Sequence, residues 1–178
     1  MIIIMSKAIS DLFEKGRTVS LKPGQTVFRT GDPSRSMYLV VQGQIDLVRH
    51  TSTGSPLILS RAGPDNVLAE ASAYSDFYHC DGTANEHSHL LSVPVSEFRD
   101  VLHGSSELSR LWSAQLASAL QKARTQSEIR TLKTVSERLD AWLADSQALP
   151  AKGKIQGLAH ILGVSREALY RELAKRRT

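Results

Sequence analysis

Residues 157–177 decide the fold: Gly157-Leu158-Ala159-His160-Ile161-Leu162, then Gly163-Val164-Ser165, then Arg166-Glu167-Ala168-Leu169-Tyr170-Arg171-Glu172-Leu173-Ala174-Lys175-Arg176-Arg177. The first six read as a short helix and the next three as a tight turn. Arg166 to Arg177 reads as a second helix with Ser165 as its N-cap, since a serine oxygen can accept from the unpaired N–H groups of the first helical turn. Ala159 is small where two helices must approach, and Gly163 stands where the chain needs a left-handed turn. Val164 and Leu169 are the apolar pins of the second helix. That is helix-turn-helix spacing.

In this motif the N-terminal turns of the second helix enter the major groove of DNA. Arg166, Glu167, Tyr170 and Arg171 fall at i, i+1, i+4 and i+5, so they share one exposed face while Ala168, Leu169 and Leu173 turn inward. Arginine can donate two hydrogen bonds to the O6 and N7 of guanine, and glutamate can accept from the N4 of cytosine. Lys175, Arg176 and Arg177 suit phosphates, which position a protein without reading sequence. The competing reading is a basic amphipathic terminal helix that packs on a partner protein.

Charge is distributed accordingly. The 178 residues carry a formal net charge of +4; residues 1–121 hold 10 Lys/Arg against 12 Asp/Glu, and residues 122–178 hold 12 against 6. A basic C-terminal third on a mildly acidic body points to a polyanion partner, or else to a solvated basic surface.

Immediately upstream, Val135 to Ala144 reads as a helix with Val135, Leu139, Trp142 and Leu143 on one side. Before it, Ser105 to about Leu132 contains no proline or glycine, and Leu108, Leu111, Trp112, Leu116, Ala119, Leu120 and Ala123 recur at helical steps. At ~1.5 Å per residue this helix is roughly 40 Å long, more than a small domain can cover. The surplus apolar face, centred on Leu116, Leu120 and Ala123, is matched most economically by the same helix of a second copy. The alternative is a helix lying wholly along its own domain.

Further upstream the texture is short extended runs between turns: Thr26 to Arg29, Met37 to Val41, Ile45 to Arg49, Leu57 to Leu59 and His89 to Val93. Such spacing suggests a small antiparallel barrel or sandwich. Ser10 to Lys15 reads as a leading helix, and Ser96 to Leu102 as a short helix capped by Ser96. The fold class is therefore α+β, with a β domain over residues 1–104, a long dimerisation helix over 105–132 and a helix-turn-helix domain over 133–178.

Composition restricts the function classes. Hydrophobic residues are 41% and charged residues 22%, which excludes wholesale disorder. The single cysteine, Cys80, excludes an intrachain disulfide, and a reduced compartment is expected. The apolar opening Met1 to Met5 is too short for a signal-peptide core or a membrane span, so a cytoplasmic protein is expected. No paired nucleophile and base, phosphate loop or strong metal spacing suggests an enzyme, and no cofactor is implied.

From Leu12 to Arg177 the chain resembles the cyclic-AMP receptor protein/fumarate-nitrate regulator (Crp/Fnr) superfamily of bacterial transcription factors. The N-terminal resemblance lies in Lys22-Pro23-Gly24-Gln25-Thr26-Val27-Phe28-Arg29, Gly31-Asp32-Pro33-Ser34, Met37-Tyr38-Leu39-Val40 and Gly43-Gln44-Ile45-Asp46-Leu47-Val48. The C-terminal one runs from Leu158-Ala159 through Gly163-Val164-Ser165-Arg166-Glu167 to Tyr170-Arg171-Glu172-Leu173. The resemblance implies an effector-sensing β-roll (a double-stranded jelly roll), a dimer and a DNA-binding domain that meets RNA polymerase at promoters. It also implies that Arg166, Glu167 and Arg171 read a TGTGA-type half-site of a palindromic operator, with Ser165, Tyr170, Lys175 and Arg176 beside them.

Two departures qualify the resemblance. Cyclic-nucleotide binders of the superfamily use a Gly-Glu pair and, about ten residues on, an Arg followed by Ser or Thr. Here these positions read Ala69-Glu70 and Cys80-Asp81, so the phosphate's cation is replaced by a thiol and a hydroxyl by a repelling carboxylate. A cyclic nucleotide is therefore not the expected signal. His79, Cys80 and Asp81 with a nearby histidine could instead sense a metal or redox state, although consecutive strand residues point to opposite faces. An effector-independent regulator, a different small-molecule effector, and a nucleotide-binding module without DNA binding stay open. The six histidines give no support for haem, and one cysteine cannot hold an iron–sulfur cluster. The second departure is at Thr178, where the sequence stops short of the β-hairpin wing that relatives lay on the phosphate backbone; this is either a truncation or a short variant with fewer backbone contacts, for which a shallower salt dependence of binding is expected.

Overall fold

The corner between the third and fourth strands shows how local chemistry sets this topology. Gly43 has φ +89°, and a Cβ there would collide with the Ser88 side chain and the His87 carbonyl, so the corner takes glycine. The computed structural model describes residues 7–68, 70–146, 149 and 155–176. The chain opens with α1 (Lys7–Ser10) and a 3-10 turn (Asp11–Phe13). Strands follow as β1 (Arg17–Leu21), β2 (Thr26–Phe28), β3 (Ser36–Gln42), β4 (Ile45–His50), β5 (Pro56–Ala62) and β6 (Val67–Leu68). A second 3-10 turn (Glu70–Ser72) leads to β7 (Asp81–Ala84) and β8 (Ser88–Pro94). The helices are α2 (Val95–Gly104), α3 (Ser106–Thr131), α4 (Val135–Ser146), α5 (Ile155–Leu162) and α6 (Arg166–Lys175).

The strands form two four-stranded antiparallel sheets, ordered β1-β8-β3-β6 and β2-β7-β4-β5. Consecutive strands β3 and β4 thus lie in different sheets, the arrangement of a roll. Its core holds Phe13, Phe28, Met37, Val40, Ile45, Leu68, Leu90 and Cys80, closed by Phe98 and Leu102 of α2 and Trp112 of α3. Phe28 stacks on Tyr78 with ring centroids 4.3 Å apart, and Trp112 meets Phe98 edge-on at 5.0 Å.

The chain falls into two compact units that meet in the sequence at Leu116–Ala117, inside α3. The second unit has its own core of Ile129, Leu139, Ile155, Leu158, Ala159, Leu162, Leu169 and Leu173.

Three local expectations are corrected. Ser96 does not cap α2. Pro94 does, without a side-chain hydrogen bond, because β8 runs directly into the helix while the Val95 N–H donates to the Arg35 carbonyl. The leading helix begins and ends earlier than Ser10 to Lys15 and finishes as a 3-10 turn. In the run Ile45 to Arg49, whose alternation of apolar with polar residues predicts an outward-facing Asp46, that residue is instead buried, with Arg61 directly opposite on β5 at 3.2 Å.

Candidate nucleic-acid interface and effector position

Local hydrogen bonds build the C-terminal unit. At the start of α4 the Thr134 hydroxyl accepts from the Glu137 N–H at 3.1 Å, and the Glu137 carboxylate accepts from the Thr134 N–H at 2.9 Å. This reciprocal pair is a capping box, and its Thr-x-x-Glu signal stands in the sequence. The Thr134 hydrogen bonds hold the Glu137 carboxyl below the usual range. Arg138 Nε donates to the Leu132 carbonyl at 2.8 Å, and its Nη1 donates to the Leu162 and Gly163 carbonyls, each at 3.1 Å. One guanidinium thus satisfies carbonyls at the end of α3, at the end of α5 and in the turn.

The turn has the expected chemistry. Gly163 adopts φ +64°, and the Val164 N–H donates back to the Ala159 carbonyl at 3.0 Å, the wide bond of a Schellman-type helix end. Ser165 is extended, and its hydroxyl accepts from the Ala168 N–H at 3.1 Å, making it the N-cap of α6. Leu169 and Leu173 are buried, while Arg166, Glu167, Tyr170 and Arg171 are exposed. Glu167 is held below the usual carboxyl range by its own backbone N–H and by Ser165, with Arg166 and Arg171 adding attraction. It is an ionised acceptor at neutral pH. Lys175 and Arg171 rim a cleft that Thr134 and Ser136 of α4 line from the other side. Arg176, expected among the phosphate contacts, is engaged within its own unit. Its guanidinium bonds Asp140 at 2.6 Å and Glu172 at 2.9 Å, both within the unit. Arg177 lies outside the described residues.

At the effector position, Ala69 is outside the described residues. Glu70 opens the second 3-10 turn, and burial pushes its carboxyl up. His79 and Cys80 occupy a bend before β7 rather than a strand, yet they still face opposite ways. His79 is exposed, with Nδ1 3.3 Å from the Ser72 hydroxyl, and Cys80 is only 2% exposed. Burial first, then the charges of Glu70 and Asp81, push the Cys80 thiol up to about 11. Burial would also raise Asp81, but Thr30 donates to it from N at 2.7 Å and from Oγ1 at 2.9 Å, and the His50 ring stands at 3.5 Å. These hold the Asp81 carboxyl below its ordinary value, so an anion occupies the place of the expected hydroxyl. Among the described residues no group of three His, Cys, Asp or Glu is placed to hold a metal ion, so the metal alternative has no donor set there. The redox alternative meets a buried, protonated thiol. Maleimide labelling of native Cys80 at neutral pH is expected to run at least about 100-fold slower than labelling of the unfolded chain. Comparable rates would restore a reactive-thiol reading.

The family model of the cyclic nucleotide-binding domain matches residues 18–105. Over 97% of its length the chain is 24% identical to the global nitrogen regulator of Nostoc sp., covering 87% of that protein. The relatives are Crp/Fnr-type regulators, and the chain is similar to them. Solved Crp/Fnr structures share its fold. FixK2 of Bradyrhizobium japonicum superposes with a TM-score of 0.73 at 19% identity, over 90% of this chain and 83% of that one. The c-di-GMP-responsive global regulator CLP of Xanthomonas campestris gives 0.68 at 19%, over 97% and 92%.

The three residues expected at a dimer interface differ in surroundings. Leu116 packs on the core of the β-roll, whereas Leu120 is 52% exposed and Ala123 is also exposed. The apolar surplus therefore begins about one turn later than Leu116. No helix among the described residues is long and apolar enough to cross a membrane. The sequence reading missed the internal use of Arg138 and Arg176. Charge counting treats every arginine of a basic segment alike, and their acceptors lie as far as 40 residues away.

Proposed function

We propose that this protein is a sequence-specific, homodimeric DNA-binding transcription regulator, not an enzyme, whose β-roll answers to a signal other than a cyclic nucleotide. The observation that carries the reading is the exposed face of α6. Arg166, Glu167, Tyr170 and Arg171 stand on a helix capped by Ser165 and seated on Leu169 and Leu173. Arg166 and Arg171 offer guanine its two acceptors, and ionised Glu167 offers cytosine an acceptor. Lys175 serves a phosphate. A second copy joins through the exposed side of α3 around Leu120 and Ala123, which gives a palindromic operator its two-fold partner. RNA polymerase is the further partner by family. The replacement of the superfamily's arginine and hydroxyl by Cys80 and the Asp81 carboxylate supports the exclusion of a cyclic phosphate. Among the alternatives, effector-independent binding is favoured over a metal or redox sensor by the buried thiol and by the lack of a three-residue donor cluster among the described residues.

The test is selection of the purified chain, without ligand, against a random duplex library, followed by binding at two salt concentrations. An enriched palindrome that the free protein binds is the expected result. Salt-sensitive binding without enrichment would overturn the reading for the unliganded protein. Isothermal titration with cyclic AMP and cyclic GMP should show no saturable heat, and a stoichiometric transition would contradict the excluded signal.

A further inference from the structure

The last turn of α6 is fastened to α4 by one side chain. Arg176 Nη1 donates to Asp140 Oδ1 at 2.6 Å, Nε to Glu172 Oε1 at 2.9 Å, and Nη2 to the Ser136 hydroxyl at 2.9 Å and the Ser136 carbonyl at 3.2 Å. Ser136 and Asp140 lie one turn apart on α4, and Glu172 and Arg176 one turn apart on α6. Three residues of two helices thus close around a single planar guanidinium, whose fork suits such multiple acceptors. The Arg176 hydrogen bonds hold the Asp140 and Glu172 carboxyls below the usual range, so both stay charged at neutral pH. The cluster then carries two negative charges against one positive. A DNA phosphate approaching Arg176 would have to displace those carboxylates and face their repulsion. The apolar anchors of α6, Leu169 and Leu173, lie in its first eight residues, and beyond them Arg176 bonds to Ser136 and Asp140 of α4.

We propose that Arg176 is a positioning residue for base recognition: clamped by Ser136, Asp140 and Glu172, it fixes the tilt at which α6 presents Arg166, Glu167 and Arg171. The proposal rests on the reading that α6 contacts DNA. A ten-residue helix is about 15 Å long, and base-edge hydrogen bonds tolerate displacements of roughly 0.5 Å, so release of one end spoils geometry at the other. Nonspecific attraction to phosphates tolerates such movement.

The experiment compares Arg176→Gln, Asp140→Asn and the double variant with the wild-type chain, using the operator it selects, a scrambled duplex and a series of salt concentrations. Circular dichroism checks helicity. Each single substitution is expected to weaken operator binding about tenfold, with the double no weaker than either, as coupled partners require. Binding to the scrambled duplex and the salt slope should not move, and the swap D140R/R176D should recover part of the loss. If Arg176 instead contacts phosphate, R176Q weakens both duplexes and flattens the slope by about one charge per protomer, while D140N leaves binding intact or tighter. That pattern overturns the clamp, and so does wild-type affinity in all three variants. If R176Q unfolds the unit, D140N and R176K decide the matter, because both retain the size of the side chain they replace. A wild-type chain that enriches no operator overturns the reading of α6 and this proposal with it, whereas unaffected variants of an operator-binding chain overturn the clamp alone.

Discussion

Arg171→Ala should weaken binding to the selected operator by about 1–3 kcal/mol, and the pair Arg166→Ala/Arg171→Ala by more than 100-fold, since each bidentate guanine contact contributes on that order. Both side chains are exposed on the first two turns of α6, the part that a groove can admit. Neither residue is part of the buried core, so the unit should keep its helicity and melting behaviour. Operators carrying A·T at the matching G·C positions should lose about the same affinity with the wild-type chain, and little further with the variants, because the same contact is already gone. Binding to a scrambled duplex should fall only by the electrostatic share of one or two charges. Equal losses on operator and scrambled DNA, measured by anisotropy titration at fixed salt, would show that these arginines attract phosphates without reading bases.

Leu169→Ala should remove the C-terminal unit's stability by about 2–5 kcal/mol, the range for deleting a fully buried leucine. Leu169 is 0% exposed and sits in a core that also includes Leu139, Leu158 and Leu162. Small units bury a modest fraction of their surface and have total stabilities of only ~5–15 kcal/mol, so the loss is a large part of the whole. The β-roll has a separate core and should not follow. Each unit supplies its own reporter: Trp112 is packed in the first core and Trp142 against the second. In chains that keep one tryptophan at a time, urea unfolding followed at Trp142 should shift to lower concentration, with the Trp112 transition in place. Equal shifts of both would mean that the two cores unfold as one.

The comparison of these two residues shows where sequence reading succeeds. Leu169 and Ser165 could be assigned because their jobs are local: the cap partner is three residues away, and the inward face follows from helical period. Gly163 was legible for the same reason, as a left-handed residue ending a helix. Strands β3, β4, β5 and β8 announced themselves through apolar runs between turns. The two-residue β6 did not, since its pairing with β3 supplies what its own sequence lacks. Ser96 misled because serine favours helix starts in general, whereas the entry to α2 is set by β8 arriving through Pro94.

At the effector position, the sequence alone established that the expected arginine is Cys80 and the expected hydroxyl is Asp81. Folding decided what those replacements are chemically. Burial makes Cys80 a core thiol, and Thr30, 51 residues away along the chain, holds Asp81 as a carboxylate. The same division holds in the C-terminal unit. Sequence determined a capped helix with a basic, exposed face, because turns, caps and helical period act within a few residues. Only the tertiary structure separated Arg138 and Arg176, which hold the unit together, from Arg166 and Arg171 on its exposed face. A charge acquires its role from the acceptors that folding brings to it, and two of the three residues that accept from Arg176 lie on another helix 36 to 40 residues upstream.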